Sequence, residues 1–439
     1  MIPRTTHNIV RDKISESAVK VLETLLAAGF ESYLVGGGVR DLLLGLHPKD
    51  FDVATAAEPE QVRELFRHKE SDGKGERGPS CRLIGRRFRL AHVRYGRDIV
   101  EVATFRAAHA PGEDNAEHQT SVNGRIVRDN VFGSLEEDAW RRDFSVNCLY
   151  YDIRDETVLD FVGGFEDLEA RSLRLIGDPE KRYREDPVRI LRAIRFAAKL
   201  GFEIEEKTHA PIVDLAPLLG DIPPSRLFDE TLKLFMTGSA QSVFELLDHY
   251  ATFEELFPET ARFASGQHSR RFIIQSLVNT DKRLAQDKPI TPGFLLAAFL
   301  WPPLRQISSE YQVKGLLESE AIDVAANEVV RLQCQRVSFP RRFSLMAKEI
   351  WNMQPELEQH RSRHAKQILQ RQRFRAAYDF LVLRFEAGET ELKERVNFWT
   401  NLQKSSGKKS EKSDTDTPPN RRSHRRSRRG RRSRRSAPA

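Results

Sequence analysis

The sequence predicts an α+β protein: a mixed α/β head, then an all-helical neck and body, then a disordered basic tail. Three observations carry this. Up to about Phe165 short β-type runs, glycines and helical patches alternate; from about Arg182 to Gln403 amphipathic helical periodicity dominates; beyond Lys404 apolar residues almost vanish. With 439 residues, 39% of them apolar, the chain can fill the cores of two or three globular units.

Composition excludes several classes. No run approaches the roughly 18 apolar residues of a membrane span, and the amino terminus lacks the apolar core of a secretory signal, so a soluble, cytoplasmic protein is expected. Cys81, Cys148 and Cys334 are far apart and fit no metal-ligand spacing, so they read as buried thiols. The net charge of +7 is unevenly placed: residues 404–439 hold 4 Lys and 10 Arg against Glu411, Asp414 and Asp416, a net +11, which leaves −4 for the rest. A tail this rich in arginine and poor in apolar residues cannot offset the entropy of folding, and it suits a polyanion held by counterion release. RNA or DNA is the expected partner, and Arg425, Arg426, Arg428 and Arg429 are candidate contacts.

In the head, Ile14 to Ala28 places Ile14, Ala18, Val21, Leu22, Leu25 and Leu26 on one helical face, ending at Gly29. Tyr33-Leu34-Val35 reads as a short strand. Gly36-Gly37-Gly38 follows, then a helix over Val39 to Leu44 closed by Gly45. Strand, glycine turn and helix is an arrangement that aims N–H groups at a phosphate. A tight packing turn would use the same glycines.

Asp50-Phe51-Asp52 supplies the chemistry. Residues i and i+2 of an extended segment share a side, so both carboxylates project together while Phe51 turns to the core. Such a pair repels itself unless a cation intervenes, and Mg²⁺ takes a few carboxylates while leaving positions for substrate phosphates. A third acid has two candidates. Glu101 lies within the otherwise apolar run Ile99 to Ala103, where an ion pair or a metal would have to compensate it; Asp143 stands in Arg141-Arg142-Asp143-Phe144, followed by Asn147. The two arginines suit a triphosphate. On the helix after Pro187, Arg189, Arg192, Arg195 and Lys199 recur at helical spacing beside an apolar strip of Val188, Leu191, Ile194 and Ala198, a positive face for nucleotide or RNA phosphate or simply a solvated one. Residues 69–80, rich in Gly, Glu and Lys, read as an inserted loop between a helix ending near Phe66 and a strand starting near Cys81.

Taken in order, Leu34 to Asp41, Asp50 to Asp52, Arg141 to Asn147 and Glu185-Asp186-Pro187-Val188-Arg189 resemble the class II nucleotidyltransferases of the polymerase-beta-like superfamily. That class contains bacterial poly(A) polymerases and CCA-adding tRNA nucleotidyltransferases. Leu83 to Val93, and Ile2-Pro3-Arg4 with His7 and Arg11, resemble the poly(A) polymerase branch, which the basic tail also suits.

The resemblance implies a catalytic head over residues 1–165, a neck with a nucleotide-recognition helix over 166–228, a helical RNA-binding body over 229–403 and the tail over 404–439. It implies AMP transfer from ATP to RNA 3′ ends, assisted by Mg²⁺ or alternatively Mn²⁺, in mRNA polyadenylation and decay, with RNA-decay proteins as candidate partners. Asp50, Asp52 and Asp143 are then catalytic, and Asp50, Asp52 and Glu101 metal-side acids. Gly36, Gly37, Gly38, Arg40, Arg141, Arg142 and Asn147 would hold the nucleotide, Glu185, Asp186 and Arg189 would read its base, and Arg192, Arg195 and Lys199 would meet RNA. The competing readings are a CCA-adding enzyme and an inactive RNA-binding protein on the same fold.

Overall fold

A short buried strand organises the head of the structure, a computed structural model that describes residues 1–67, 78–85, 89–107, 118–120, 126–129, 131–263, 266–359 and 364–413. Strand β1 (Ser32–Val35) is buried at all four positions, as a strand covered on both faces must be. It pairs antiparallel with β2 (Asp52–Thr55) on one side and with β8 (Leu149–Tyr151) on the other. Beyond β2 come β5 (Asp98–Thr104), β4 (Leu90–Tyr95) and β3 (Ser80–Ile84); beyond β8 comes β9 (Val158–Asp160). The order is β3-β4-β5-β2-β1-β8-β9, and only β2 with β5 runs parallel, so the sheet is mixed. A separate hairpin joins β6 (His118–Thr120) and β7 (Ile126–Asp129).

Helix α1 (Glu16–Ala27) opens where the Ser15 hydroxyl accepts the Ala18 N–H, packs Ala18, Val21, Leu22 and Leu25 into the sheet, and stops before Gly29 at φ +86°. Helix α2 (Gly37–Leu43) follows β1 through Gly36, and α3 (Pro59–Leu65) follows β2. Helix α4 (Leu135–Trp140) starts in a reciprocal box between Ser134 and Glu137, and α5 (Gly164–Glu169) closes the head.

The neck is not wholly helical. Strands β10 (Ser172–Leu173) and β11 (Glu203–Ile204) pair in parallel across it, which the helical reading of this stretch missed because two-residue strands carry no periodicity. Between them run α6 (Pro179–Glu185) and α7 (Val188–Leu200), the latter ended by Gly201 in the left-handed region. Helices α8 (Glu206–His209) and α9 (Ile212–Leu215) and a tight turn over Ala216–Asp221 lead to α10 (Pro224–Phe235), which Pro223-Pro224 begins.

The body packs helices around an aromatic cluster in which Phe299 meets Phe235, Phe253 and Phe257 edge-on at 4.9–5.9 Å. Pro302-Pro303 lies in the first turn of helix Trp301–Val313, where missing N–H donors cost nothing, just after helix Pro292–Phe299 ends at Leu300. The last helix, Lys393–Ser413, is fastened by Trp399, whose indole N–H donates to the Leu357 carbonyl at 2.9 Å. It runs through the position expected to begin the disordered tail; residues 414–439, with Arg425, Arg426, Arg428 and Arg429, lie outside the described residues. So do residues 69–77 of the expected insertion and residues 86–88 of the Leu83 to Val93 run. All three cysteines are free, Cys148 buried and Cys81 and Cys334 half-buried. No helix among the described residues is long and apolar enough to cross a membrane.

Candidate active site

Asp52 sits where three strands meet. Its register partners are Val35 on β1 and Glu101 on β5, so the glycine turn after β1 and both acids share one end of the sheet. Gly36 takes φ +80°, and a β-carbon there would stand 3.4 Å from Asp52 Oδ2. A β-carbon on Gly38 would meet the Phe51 ring at 3.2 Å and the Asp50 carbonyl at 3.3 Å. The glycines thus let the turn lie directly on the acidic segment. The strand proper starts only at Asp52, so Asp50 and Phe51 precede it, yet the alternation survives: Phe51 is buried, Asp50 exposed and Asp52 half-buried.

Burial first, and then the negative charges of Glu101 and Asp50, push the Asp52 carboxyl up to about 6, with Arg142 opposing. Glu101 is not sunk in apolar surroundings as the strand pattern suggests. Its side chain is half exposed, because β5 turns that face outward, and it lies 3.2 Å from His92 Nε2. Among the described residues no group of three or more His, Cys, Asp or Glu stands ready-made around a metal position. The donor chemistry nevertheless fits a hard divalent cation: carboxylate oxygens crowded by like charge.

Arg142, whose charge acts on Asp52, belongs to a cluster of guanidinium groups. Arg142 donates to Asp138 Oδ2 through Nε at 3.0 Å and Nη2 at 2.9 Å, and to the Tyr150 hydroxyl at 2.8 Å, while that hydroxyl donates to the same Asp138 oxygen. Arg182 donates to the carbonyls of Arg141 at 2.7 Å and Arg142 at 2.8 Å. Burial, followed by the positive charges of Arg106, Arg142, Arg182 and Arg189, pushes Arg141 down to about 9, so it stays charged at neutral pH within a strongly electropositive group. A polyanion set here would relieve that repulsion.

The remaining candidates are brought together but largely satisfied by one another. Asp143 meets Arg189 Nε at 2.9 Å and Arg192 Nε at 2.8 Å. Burial would raise its carboxyl, but Arg192 and Arg189 outweigh that and hold it well below the usual carboxylate range. Its commitment to two arginines leaves it a poor third metal-side acid, so of the two candidates geometry favours Glu101, the register partner of Asp52. Arg40, buried, donates to Asp41 Oδ1 and to Asn147 Oδ1 and lies 5.6 Å from the Phe196 ring centroid, so these donors shape the turn instead of reaching outward to phosphate. Glu185 Oε2 accepts from Arg182 at 3.1 Å and Arg189 at 3.3 Å, and Asp186 Oδ2 accepts from Arg226 at 2.6 Å. Asp143, Arg189, Glu185 and Arg182 therefore form one connected network at the junction of α6 and α7, while Asp186 pairs with Arg226 of α10 beside it.

The positive strip on α7 divides. Arg195 donates to the buried Glu230 at 2.9 Å and covers the Phe196 ring at 4.3 Å, which makes it a clasp between α7 and α10 and not an outward RNA contact. Arg192 keeps 38% of its side chain exposed, and Lys199 is exposed at the end of the helix. Sequence reasoning missed Asp138, Tyr150, Arg182, Arg226 and Glu230. The i, i+4 spacing of Asp138 and Arg142 was a usable signal; the other partners come from distant segments.

Comparison with known proteins bears on this site. Residues 32–174 match the family described as "Poly A polymerase head domain", residues 201–263 that described as "Probable RNA and SrmB- binding site of polymerase A", and residues 314–435 "Polymerase A arginine-rich C-terminus". The chain is 46% identical over 434 residues to poly(A) polymerase I of Salmonella typhimurium, covering 96% of this chain and 91% of that one. It is 48% identical over 409 residues to poly(A) polymerase I of Escherichia coli O6:H1, covering 92% and 85%. A CCA-adding enzyme of Lactobacillus helveticus is 38% identical over 54% of each chain. Among solved structures, the Bacillus stearothermophilus CCA-adding enzyme in complex with CTP has a TM-score of 0.57 at 24% identity, covering 89% of this chain and 82% of that one. A tRNA nucleotidyltransferase complexed with a primer tRNA and an incoming ATP analog has a TM-score of 0.59 at 22% identity, covering 88% and 99%. At such identities these structures speak for the fold.

Proposed function

Because the chain belongs to the poly(A) polymerase family of class II nucleotidyltransferases, we propose that its site transfers AMP from ATP to RNA 3′ ends without a template, in mRNA polyadenylation and decay. It is a polynucleotide adenylyltransferase. The observation that carries the reading of the site is the register pairing of Asp52 with Glu101, with Arg142 acting on Asp52 from a cluster that includes Arg141 and Arg182: clustered carboxylates for a divalent ion and clustered guanidinium groups for a triphosphate. Near-full-length identity favours poly(A) addition over CCA addition, whose relative aligns over about half of the chain.

Asp50 and Asp52, with Glu101 alongside, would hold Mg²⁺ or Mn²⁺. When bound, the ion supplies a lowered pKa for the attacking hydroxyl and neutralises charge on the leaving pyrophosphate. The RNA 3′ oxygen bonds to the α-phosphorus of ATP as the bridging bond to the β-phosphate breaks; pyrophosphate departs, and the hydroxyl proton passes to solvent. Arg141, Arg142 and Arg182 neutralise the triphosphate, and Gly36 to Gly38 let it approach the backbone. Asp138 and Tyr150 fix Arg142 in place. Asp186, an acceptor held by Arg226, and Arg189, a donor held by Asp143 and Glu185, read the adenine edge without a template base.

The test is incubation with Mg²⁺, an unstructured RNA primer and single nucleotides, alongside a tRNA lacking its end. Long products from ATP alone support the proposal. A short CTP-dependent addition to tRNA would identify a CCA-adding enzyme instead, and no extension an RNA binder.

A further inference from the structure

A row of register partners crosses three strands at the acidic end of the sheet. Asp52 of β2 stands beside Glu101 of β5, and Glu101 stands beside His92 of β4. Residues paired in this way put their side chains on one face. Burial agrees: Ala91 and Val93 flanking His92, and Val100 and Val102 flanking Glu101, are at most 2% exposed, so the core lies on the other face. His92 comes from the Leu83 to Val93 run, and its ring reaches across to place Nε2 3.2 Å from Glu101 Oε1.

The two partners differ in freedom. The Glu101 side chain is half exposed, whereas that of His92 is 24% exposed on a strand whose neighbouring positions are in the core. Among the described residues no other hydrogen bond or ion pair reaches the Glu101 carboxylate. A glutamate must give up rotamer freedom to ligate an ion, so a neighbour that already confines it strengthens the site. An imidazole suits that duty. In its neutral form it offers an N–H without cancelling the carboxylate charge, whereas the two guanidinium groups on Asp143 claim that acid outright.

We propose that His92 is a positioning residue: it confines the Glu101 carboxylate beside Asp52 and so tightens the hold of the site on its divalent ion. In this role it touches neither RNA nor nucleotide and acts only through Glu101. The order of the row carries the argument, since the ring sits on the far side of Glu101 from Asp52 and can restrain the one acid without intruding between the two. The inference deepens the proposed transfer reaction and rests on Glu101 being a metal-side acid.

The experiment uses the full-length chain, Mn²⁺ as the probe ion and an ATP analogue with a methylene group between its α- and β-phosphates, which cannot be cleaved there. Electron paramagnetic resonance then follows Mn²⁺ binding without turnover. His92→Leu should weaken that binding about three- to tenfold, at or below the low end for partners of metal ligands because Glu101 is half exposed. His92→Gln, whose amide still reaches and donates, should stay within about twofold of wild type. Glu101→Gln should cost at least as much as His92→Leu, and adding His92→Leu to it should cost nothing further, because a residue acting through the carboxylate has no effect once that group is gone. A packing defect would instead persist in both backgrounds and appear in His92→Gln as well. Unchanged affinity in His92→Leu, an equal loss in His92→Gln, or additive losses in the double variant overturn the proposal. Should His92→Leu fail to fold, His92→Asn, too short to reach Glu101, takes its place. Unchanged affinity in Glu101→Gln would remove Glu101 from the metal side and the inference with it, while AMP incorporation by the wild type reports separately on the transfer reaction.

Discussion

Asp52 and Glu101 are register partners on adjacent parallel strands, and their like charges, added to burial, lift the Asp52 carboxyl to about 6. Two acids held this close suit a divalent cation. Replacing Asp50 or Asp52 with Ala should lower AMP incorporation at least about a thousandfold, the size of several kcal/mol of charge stabilisation, while RNA retention on a filter stays near wild type. Retained catalysis in both variants would contradict the assignment.

The Asp143 network makes a pH prediction. Its carboxyl is held below the unfolded value, so the stability it contributes is present above the unfolded pKa and lost as pH falls through the depressed folded one. Asp143→Asn leaves Arg189, 7% exposed, with only its longer contact to Glu185 and should cost up to about 3–5 kcal/mol at pH 7. Denaturant titrations across pH should show the gap between wild type and variant closing only at strongly acidic pH. A gap independent of pH would remove the ion pair as its cause.

The clasp between α7 and α10 separates two uses of positive charge. Arg195→Met should lower the melting temperature, because the buried Glu230 loses its guanidinium partner, and leave the salt dependence of RNA binding alone. Lys199→Ala should do the reverse. If Arg195→Met flattens the salt dependence as well, Arg195 meets RNA after all.

Gly38 tests the closeness of the turn to the acids. In Gly38→Ala the added carbon must displace the Phe51 ring or the Asp50 carbonyl, which stand 3.2 and 3.3 Å away. A folded variant with kcat reduced about tenfold is expected, since sub-ångström misplacement of catalytic groups has that order of cost. A KM change without a kcat change would place the effect on binding.

Deleting residues 414–439 removes ten arginines and two aspartates while sparing the helix that ends at Ser413. RNA affinity should fall steeply at low salt and little at high salt, with chemistry on saturating primer nearly unaffected. A salt-independent loss would mean that the segment acts otherwise than by charge.

The glycine turn, the Asp50 and Asp52 pair, the arginines before Asp143 and the neck helix after Pro187 were legible in the sequence because each is a local pattern: a φ requirement, an alternation or a helical period. So was the division into a mixed head and a helical body, since periodicity changes once along the chain. What each charged residue does was not legible. Arg195 and Lys199 look alike in the helical pattern, yet one is spent on Glu230, and Asp143 and Glu101 look like equal candidates until Arg189 and Arg192 claim the first. Partner choice depends on which distant segments the fold brings within about 4 Å, where a buried charge must find its opposite. The sequence by itself determined which chemistry the chain carries and in what order; the tertiary structure decided which of those charges stay open to a substrate, because only packing sets burial and neighbours.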